Sequence, residues 1–251
     1  MLGVDRQEIV NKVFSKKKGE FFMSQKPVLQ GIKACVFDAY GTLFDFTSAV
    51  GKYRDRFGDK ADQVSALWRT KQLEYTWLLS LMKQHKDFWQ VTQDALDYAL
   101  DAFGITDRNL RNDLIGAYLQ LDSYPDVPET LRTLKRHGLR LVILSNGSPT
   151  MLEAAVKSSK LGDVIEIALS VEQVGVYKPD PRVYRLAEDS LKIKGNEIAF
   201  LSANAWDAVG AANARLRVVW INRFGQHRER LPSQPDAEIK SLTELPVLLG
   251  F

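Results

Sequence analysis

Asp38, Lys178 and Asp207 are the charged side chains best placed to do chemistry in this 251-residue chain. Asp38 ends the apolar run Ala34-Cys35-Val36-Phe37 and leads into Ala39-Tyr40-Gly41-Thr42. Ser145-Asn146-Gly147 follows the run 139–144, and Ser202-Ala203-Asn204-Ala205-Trp206-Asp207 follows 198–201. Lys178 stands in Tyr177-Lys178-Pro179-Asp180-Pro181. Short continuous apolar runs mark strands buried on both faces. In open parallel α/β sheets the ligand crevice lies outside the carboxyl ends of the strands. The polar residues past each run should therefore meet in one crevice: two carboxylates, one ammonium, the hydroxyls of Ser145 and Ser202, and the amides of Asn146 and Asn204. The chemistry of such a set is nucleophilic. A carboxylate stripped of its hydration attacks more readily, burial raises its pKa, and a cation such as Lys178 compensates. Taken singly each residue has a structural use, Asp38 or Asn146 in capping a turn and Ser202 as an N-cap. Four polar strand ends with a lysine among buried strands are harder to explain that way.

The elements that must position these groups are readable from periodicity. Apolar runs at 34–37, 139–144, 165–170, 198–201 and 218–221 predict five strands, and the segments 128–136, 149–158, 181–191 and 206–214 predict helices between the later ones. Alternating strand and helix implies a doubly wound, Rossmann-like α/β core with a parallel sheet. Residues 45–125 break the alternation. They show helical periodicity instead, with Val64, Leu67 and Trp68, then Leu73, Trp77 and Leu81, then Phe88, Val91 and Ala95 as apolar stripes. This predicts an all-α helical cap over 45–125, inserted into an α/β catalytic core of 28–44 and 126–251. Arg69, Leu73 and Trp77 lie at i, i+4 and i+8 and share one helix face. An arginine in such a stripe is either a rim residue snorkelling beside a ring or a functional cation.

Charge and composition remove several function classes. The 34 Lys+Arg and 31 Asp+Glu give a net charge of +3. Six of the cations and three of the anions lie in residues 1–27, which leaves 28 of each sign from residue 28 onward. The folded body is thus neutral, without the basic patch of a nucleic-acid binder. One cysteine permits no internal disulfide, and three histidines with it make no zinc site. No apolar run approaches the ~18 residues of a membrane span. A signal-peptide apolar core is also missing from the first 22 residues, so a cytoplasmic location is expected. Residues 1–27 read as a disordered N-terminal extension.

The four motifs Asp38-Ala39-Tyr40-Gly41-Thr42-Leu43-Phe44-Asp45, Ser145-Asn146-Gly147, Lys178-Pro179 and Ser202-Ala203-Asn204-Ala205-Trp206-Asp207 resemble, in order and spacing, those of the haloacid dehalogenase superfamily. Within it the chain is most similar to the configuration-inverting L-2-haloacid dehalogenases, and Trp68-Arg69-Thr70-Lys71-Gln72-Leu73-Glu74-Tyr75-Thr76-Trp77 resembles that group's signature helix. The resemblance runs from about residue 32 to the C-terminus. It implies hydrolysis of L-2-haloalkanoic acids to D-2-hydroxy acids and halide through an ester on Asp38, with a small anionic substrate, water and no cofactor. It also implies catalytic roles for Lys178, Asp207, Arg69, Ser202 and Asn204, with Arg69 meeting the leaving halide. The substrate carboxylate would be held by the backbone amides of Ala39 and Tyr40 with Ser145. Asn146, Phe88, Tyr40, Leu73, Tyr184 and Trp206 match other substrate-site positions. Thr70 stands where relatives carry a longer polar residue, which bears on chain-length preference. A homodimer through the helical insertion is implied too, with a monomer that packs the same aromatics internally left open.

Most of the superfamily are magnesium-dependent phosphatases, the runner-up reading together with phosphonatase-like hydrolases. A phosphatase needs a general acid two residues past the nucleophile and acidic ligands for magnesium in the last motif. Here the first position is Tyr40, and the last motif offers neutral Ser202 and Asn204, with Asp207 its sole acid. A halide leaves without a proton, so the substitutions point to carbon–halogen chemistry and to no bound metal. A non-catalytic binding protein on the same fold would be expected to lack the nucleophile, and Asp38 is present.

Overall fold

In the computed structural model of the protein, residues 29–251 are described; the extension expected to be disordered, 1–27, lies outside them. The first strand, β1 (Ala34–Phe37), is buried throughout. The two-residue β2 (Phe44–Asp45) follows, then helices α1 (Ser48–Gly51), α2 (Ala61–Met82), α3 (Phe88–Ala102) and α4 (Arg108–Tyr118). The chain continues through β3 (Asp122–Ser123), α5 (Val127–Arg136), β4 (Arg140–Ser145), α6 (Pro149–Ser158), β5 (Ile167–Ser170) and α7 (Pro181–Leu191). It ends with β6 (Ile198–Ser202), α8 (Ala205–Asn213), β7 (Arg217–Ile221), β8 (Ala237–Ile239) and α9 (Leu245–Leu249).

Six strands form one parallel sheet in the order β5-β4-β1-β6-β7-β8. From central β1 the chain winds outward on one side to β4 and β5, then returns to β6 and winds outward on the other. The carboxyl end of β1 is therefore the switch point where the crossovers diverge, the place where such sheets bind ligands. Registers pair Phe37 with Ile143 and with Leu201, so Asp38, Ser145 and Ser202 emerge at about the same level.

The predicted strands are all present, with two differences. The run 165–170 is regular only over Ile167–Ser170 and is an edge strand, with Ala168 exposed, because no strand covers its outer side. The other edge, β8, was not expected: three residues after an irregular stretch carry too little periodicity to show. Helices α6 and α7 have the expected bounds, each opening on a proline at N1, where a missing N–H costs nothing.

The segment between β2 and β3 is helical, as its periodicity predicts, and its ends are tied by the antiparallel pairs Phe44–Ser123 and Asp45–Asp122. Its buried face differs from the expected one. On α2 the buried residues are Ala61, Val64, Trp68, Gln72 and Thr76, while Trp77 is exposed and Leu81 is 80% exposed. Two polar residues replace an apolar stripe because both find partners inside: Gln72 bonds Thr92 and Tyr118, and the Thr76 hydroxyl donates to the Leu73 carbonyl. α2 stops at Lys83, which adopts the left-handed conformation, and α3 starts on Asp87, whose carboxylate accepts from the Gln90 amide.

Candidate active site

The Asp38 carboxylate is aimed by the tight turn that follows β1. Its backbone N–H donates to the Leu201 carbonyl, and the Ala39 carbonyl accepts from the amides of Thr42, Leu43 and Phe44. Gly41, at φ +87°, supplies the left-handed residue that the turn requires. One carboxylate oxygen, Oδ1, accepts from Lys178 Nζ at 3.0 Å. The other, Oδ2, accepts from Thr42 Oγ1 at 3.0 Å and Asn204 Nδ2 at 2.8 Å, with Ser202 Oγ more distant at 3.5 Å. The group is 6% exposed.

Lys178 is buried, and its ammonium lies between two acids, 3.0 Å from Asp38 and 2.9 Å from Asp207. The 4.9 Å approach to the Phe200 ring adds a cation–π contact. Burial works against the ammonium, but the charges of Asp207 and Asp38 outweigh it and hold its pKa above the usual lysine value. Asp207 has no exposure at all; burial and the neighbouring Asp38 raise its pKa against the pull of Lys178. Its second oxygen accepts from the Tyr184 hydroxyl at 2.7 Å. Burial, then Asp207, pushes the Tyr184 pKa well up, so the phenol keeps its proton and stays a donor.

Asn146 and Ser145 serve the turns. Asn146 Oδ1 accepts from the Lys178 backbone N–H at 3.0 Å, and Ser145 Oγ accepts from the Gly147 N–H at 3.0 Å. Ser202 Oγ likewise accepts from the Asn204 N–H at 3.1 Å. Ser202 thus braces the turn ahead of α8 without being its N-cap, which is Asn204, and Asn146 ties its loop to that of Lys178 instead of capping the next turn.

From the helical segment Arg69 reaches across. Nη1 donates to Gln72 Oε1 at 2.7 Å, Nη2 approaches Asn204 Oδ1 at 3.4 Å, and the guanidinium lies 4.9 Å over the Phe46 ring. A cleft of about 560 Å³ opens here, lined by Arg69, Leu73, Asn204, Trp206 and Phe46, with Phe224, Gln226, His227 and Glu229 on its outer side. Arg69 and Phe46 also line a second cleft of about 420 Å³. Trp77 packs edge-on to Trp206 at 5.4 Å, so the stripe Arg69–Leu73–Trp77 does face the sheet's carboxyl end.

Tyr40 and Phe88 do not line the cleft. They form an aromatic wall with Tyr118, their centroids 5.8 and 5.5 Å from Tyr40. Burial pushes the Tyr40 pKa well up, and its hydroxyl has no hydrogen-bond partner among the described residues. The expectation for Thr70 is not met: it is exposed, and its hydroxyl folds back on the Ala66 carbonyl, so it sets no pocket dimension. Sequence reasoning passed over Thr42, although a hydroxyl four residues past Asp38 within the motif was the available signal. It also passed over Gln72, Phe46 and the 224–229 segment, whose proximity depends on tertiary packing. Cys35 lies inside β1, and burial pushes its thiol pKa up to about 12, which removes it as a rival nucleophile.

A magnesium ion, which the superfamily implies, does not fit this set. The ammonium of Lys178 already occupies the space between the two carboxylates, and Asn204 turns a donor, not an acceptor, toward Asp38. Among the described residues no group of three His, Cys, Asp or Glu side chains is placed to hold a metal.

A doubly wound sheet with a buried, lysine-paired aspartate at its switch point and an arginine brought over it is an arrangement suited to displacement chemistry by a carboxylate. The family model for haloacid dehalogenase-like hydrolases matches residues 32–215, and the chain belongs to that family. It is 48% identical over 212 residues to the (S)-2-haloacid dehalogenase of Pseudomonas sp. (strain YL), covering 84% of this chain and 91% of that protein. Identity to (S)-2-haloacid dehalogenase 1 of Pseudomonas sp. (strain CBS-3) is 45% over 219 residues, 87% of this chain and 96% of the other. The solved L-2-haloacid dehalogenase from Xanthobacter autotrophicus with chloropropionic acid covalently bound superposes with a TM-score of 0.81 at 35% identity, over 86% of this chain and 98% of that one.

Proposed function

We propose that the protein hydrolyses L-2-haloalkanoic acids to D-2-hydroxy acids and halide without a metal. The observation that carries this is the Asp38 carboxylate, paired with Lys178 and held by Thr42 and Asn204, with the Arg69 guanidinium next to Asn204.

In the first step an Asp38 oxygen attacks C2 from the side opposite the halogen. The C–O bond forms as the C–X bond breaks, the bonding pair leaves with the halide, and C2 inverts. Arg69 meets the negative charge that grows on the halogen. The backbone amides of Ala39 and Tyr40 with Ser145 hold the substrate carboxylate, and Leu73 and Trp206 flank the alkyl chain. In the second step water adds to the Asp38 carboxyl carbon. With Oδ2 as the attacking atom the oxyanion forms on Oδ1 against Lys178. Asp207 receives one proton of the water and returns it to the departing alkoxide as the intermediate collapses, and the Asp38 carboxyl so formed loses the second proton and is restored as a carboxylate. Balance requires one water consumed and one proton and one halide released.

Residues 45–125 act as a helical cap over the core formed by 28–44 and 126–251. The exposed strip Trp77, Leu78, Leu81, Met82 and Tyr98 is where two copies pair. The expected location is cytoplasmic; no helix among the described residues is long and apolar enough to cross a membrane.

The test is halide release from the (S) and (R) isomers of 2-chloropropionate with EDTA present. Release from (S) alone, undiminished by chelator, supports the reading. Loss of turnover in EDTA, or faster release of phosphate from p-nitrophenyl phosphate, overturns it.

A further inference from the structure

Arg69 is held from inside the helical segment by a side chain that brings no charge. Gln72 is 1% exposed, and each of its polar atoms has a fixed task. Its Oε1 must face Arg69 Nη1, since a guanidinium only donates. Its Nε2 must then face Thr92 Oγ1 at 2.7 Å. The Thr92 hydroxyl spends its own proton on the Phe88 carbonyl at 2.7 Å and so accepts from Gln72. The Tyr118 hydroxyl, 3.1 Å from Nε2 and 3.2 Å from Oε1, closes the ring. Reversing the amide would set Nε2 against the guanidinium and Oε1 against an acceptor, so only one orientation works.

We infer that Gln72 is a positioning residue that fixes the Arg69 guanidinium toward the departing halide while leaving its full charge for that halide. A carboxylate at this place would also orient the guanidinium, but it would pair with it and draw off the charge on which halide departure depends. An apolar residue would remove the 2.7 Å contact of Nη1 and leave the group to Tyr118, Phe46 and the long contact with Asn204. The second donor contact, to Asn204 at 3.4 Å, is too long to fix the group by itself. The inference rests on the assignment of Arg69 to the leaving group.

The experiment compares Gln72→Met and Gln72→Glu with the parent on (S)-2-chloropropionate and (S)-2-bromopropionate, in full-length protein checked for folding by circular dichroism and melting temperature. If the parent releases no halide, the functional assignment fails before Gln72 is tested. With an active parent, Gln72→Met should lower kcat on the chloro acid about 10- to 100-fold, less than the roughly 100- to 1000-fold of deleting an oriented donor outright, because Arg69 itself stays. KM should change little, and the bromo/chloro ratio of kcat should rise at least about threefold, because the poorer leaving group needs the cation more. Gln72→Glu should be no better than Gln72→Met. A quench under multiple turnover should show less Asp38 ester in both variants, since only the halide step is slowed. Thr92→Val, which removes the amide's anchor with almost no change of volume, should shift the ratio the same way by less, and serves if a Gln72 variant fails to fold. An unchanged bromo/chloro ratio in a folded Gln72→Met or Thr92→Val protein, or a Gln72→Glu variant with parental kcat, overturns the inference.

Discussion

Replacing Lys178 with methionine removes one ammonium from between two buried carboxylates. Asp38 and Asp207 are each within 3.0 Å of Nζ and almost fully buried, so both lose their counter-ion at once. Breaking a buried pair by deleting one partner costs about 3–5 kcal/mol. In a chain of this size 1 kcal/mol corresponds to roughly 2–4 °C of melting temperature, so a fall of about 10 °C is expected near neutral pH. Protonation limits the loss, because the two acids can share one proton. In the variant one carboxylate has a folded-state pKa raised above its unfolded value near 3.9. Between those two values the folded state binds more protons than the unfolded state, so stability falls as pH rises, by about 1.4 kcal/mol per unit. In the parent the same sign appears, but at high pH. The raised Lys178 pKa contributes stability that is fully present below the unfolded lysine value and is lost as pH rises through the folded one. Urea unfolding of parent and variant between about pH 5 and pH 8 measures the difference. The stability gap should widen with pH, and turnover should fall at least ~1000-fold at neutral pH, where one acid holds a proton that blocks attack. A gap that does not change with pH would refute the account of Lys178 as the counter-ion shared by the two buried acids.

Three further outcomes follow from single contacts. Thr42→Val deletes the bond to Asp38 Oδ2 and the acceptor of the Ala203 N–H, and should lower kcat about tenfold with a stability loss of about 1–2 kcal/mol, read by steady-state kinetics and urea melts. Gly210→Ala places a Cβ 2.4 Å from the Tyr184 hydroxyl and 2.7 Å from Pro179 Cβ, so the phenol must leave Asp207; overpacking of about 1–3 kcal/mol and a reduced kcat are expected, the former checked by calorimetry. Asp126, whose pKa is lowered because the bonds from Arg223, Leu242 and Ser241 outweigh burial, stabilises the fold above its unfolded pKa and loses that effect as pH falls through the folded one. Asp126→Asn should therefore narrow the stability difference between neutral and acid pH, measured by urea unfolding at each.

The sheet was legible because its strands are buried on both faces and read as unbroken apolar runs; Ala34–Phe37 and Ile198–Ser202 needed no other signal. The charged trio was legible for the same reason, since Asp38 and Asp207 follow those runs and a lysine in such surroundings is conspicuous. What escaped was decided by packing. The buried face of α2 contains Gln72 and Thr76, which look like surface residues until Thr92 and Tyr118, from two other helices, supply their partners. Leu81 shows the converse, an apolar residue in register with Arg69, Leu73 and Trp77 that nothing covers among the described residues. Thr42 was visible and unchosen: its hydroxyl looked like turn chemistry, and it is that as well, accepting from Ala203 while donating to Asp38.

The placement of the two cations accounts for the choice of leaving group. Before reaction Asp38 and Asp207 balance Lys178 and Arg69, and a monoanionic substrate leaves the site at one net negative charge. Formation of the ester does not alter that total. In the proposed reaction it moves one negative charge from Asp38, beside Lys178, to the halide assigned to Arg69, so each end of the displacement has a cation facing it. Lys178 then keeps Asp207 as its partner, and its nitrogen still faces Asp38 Oδ1, which, with Oδ2 having attacked C2, is the carbonyl oxygen that becomes an oxyanion when water adds. One contact thus serves both steps without rearrangement. A phosphate ester would bring a second negative charge and a leaving alkoxide in need of a proton. Tyr40 has no acidic proton to give at neutral pH, and the ammonium of Lys178 already engages one oxygen of each carboxylate. The same polar strand ends that serve displacement of a halide are for that reason poorly suited to transfer of a phosphoryl group.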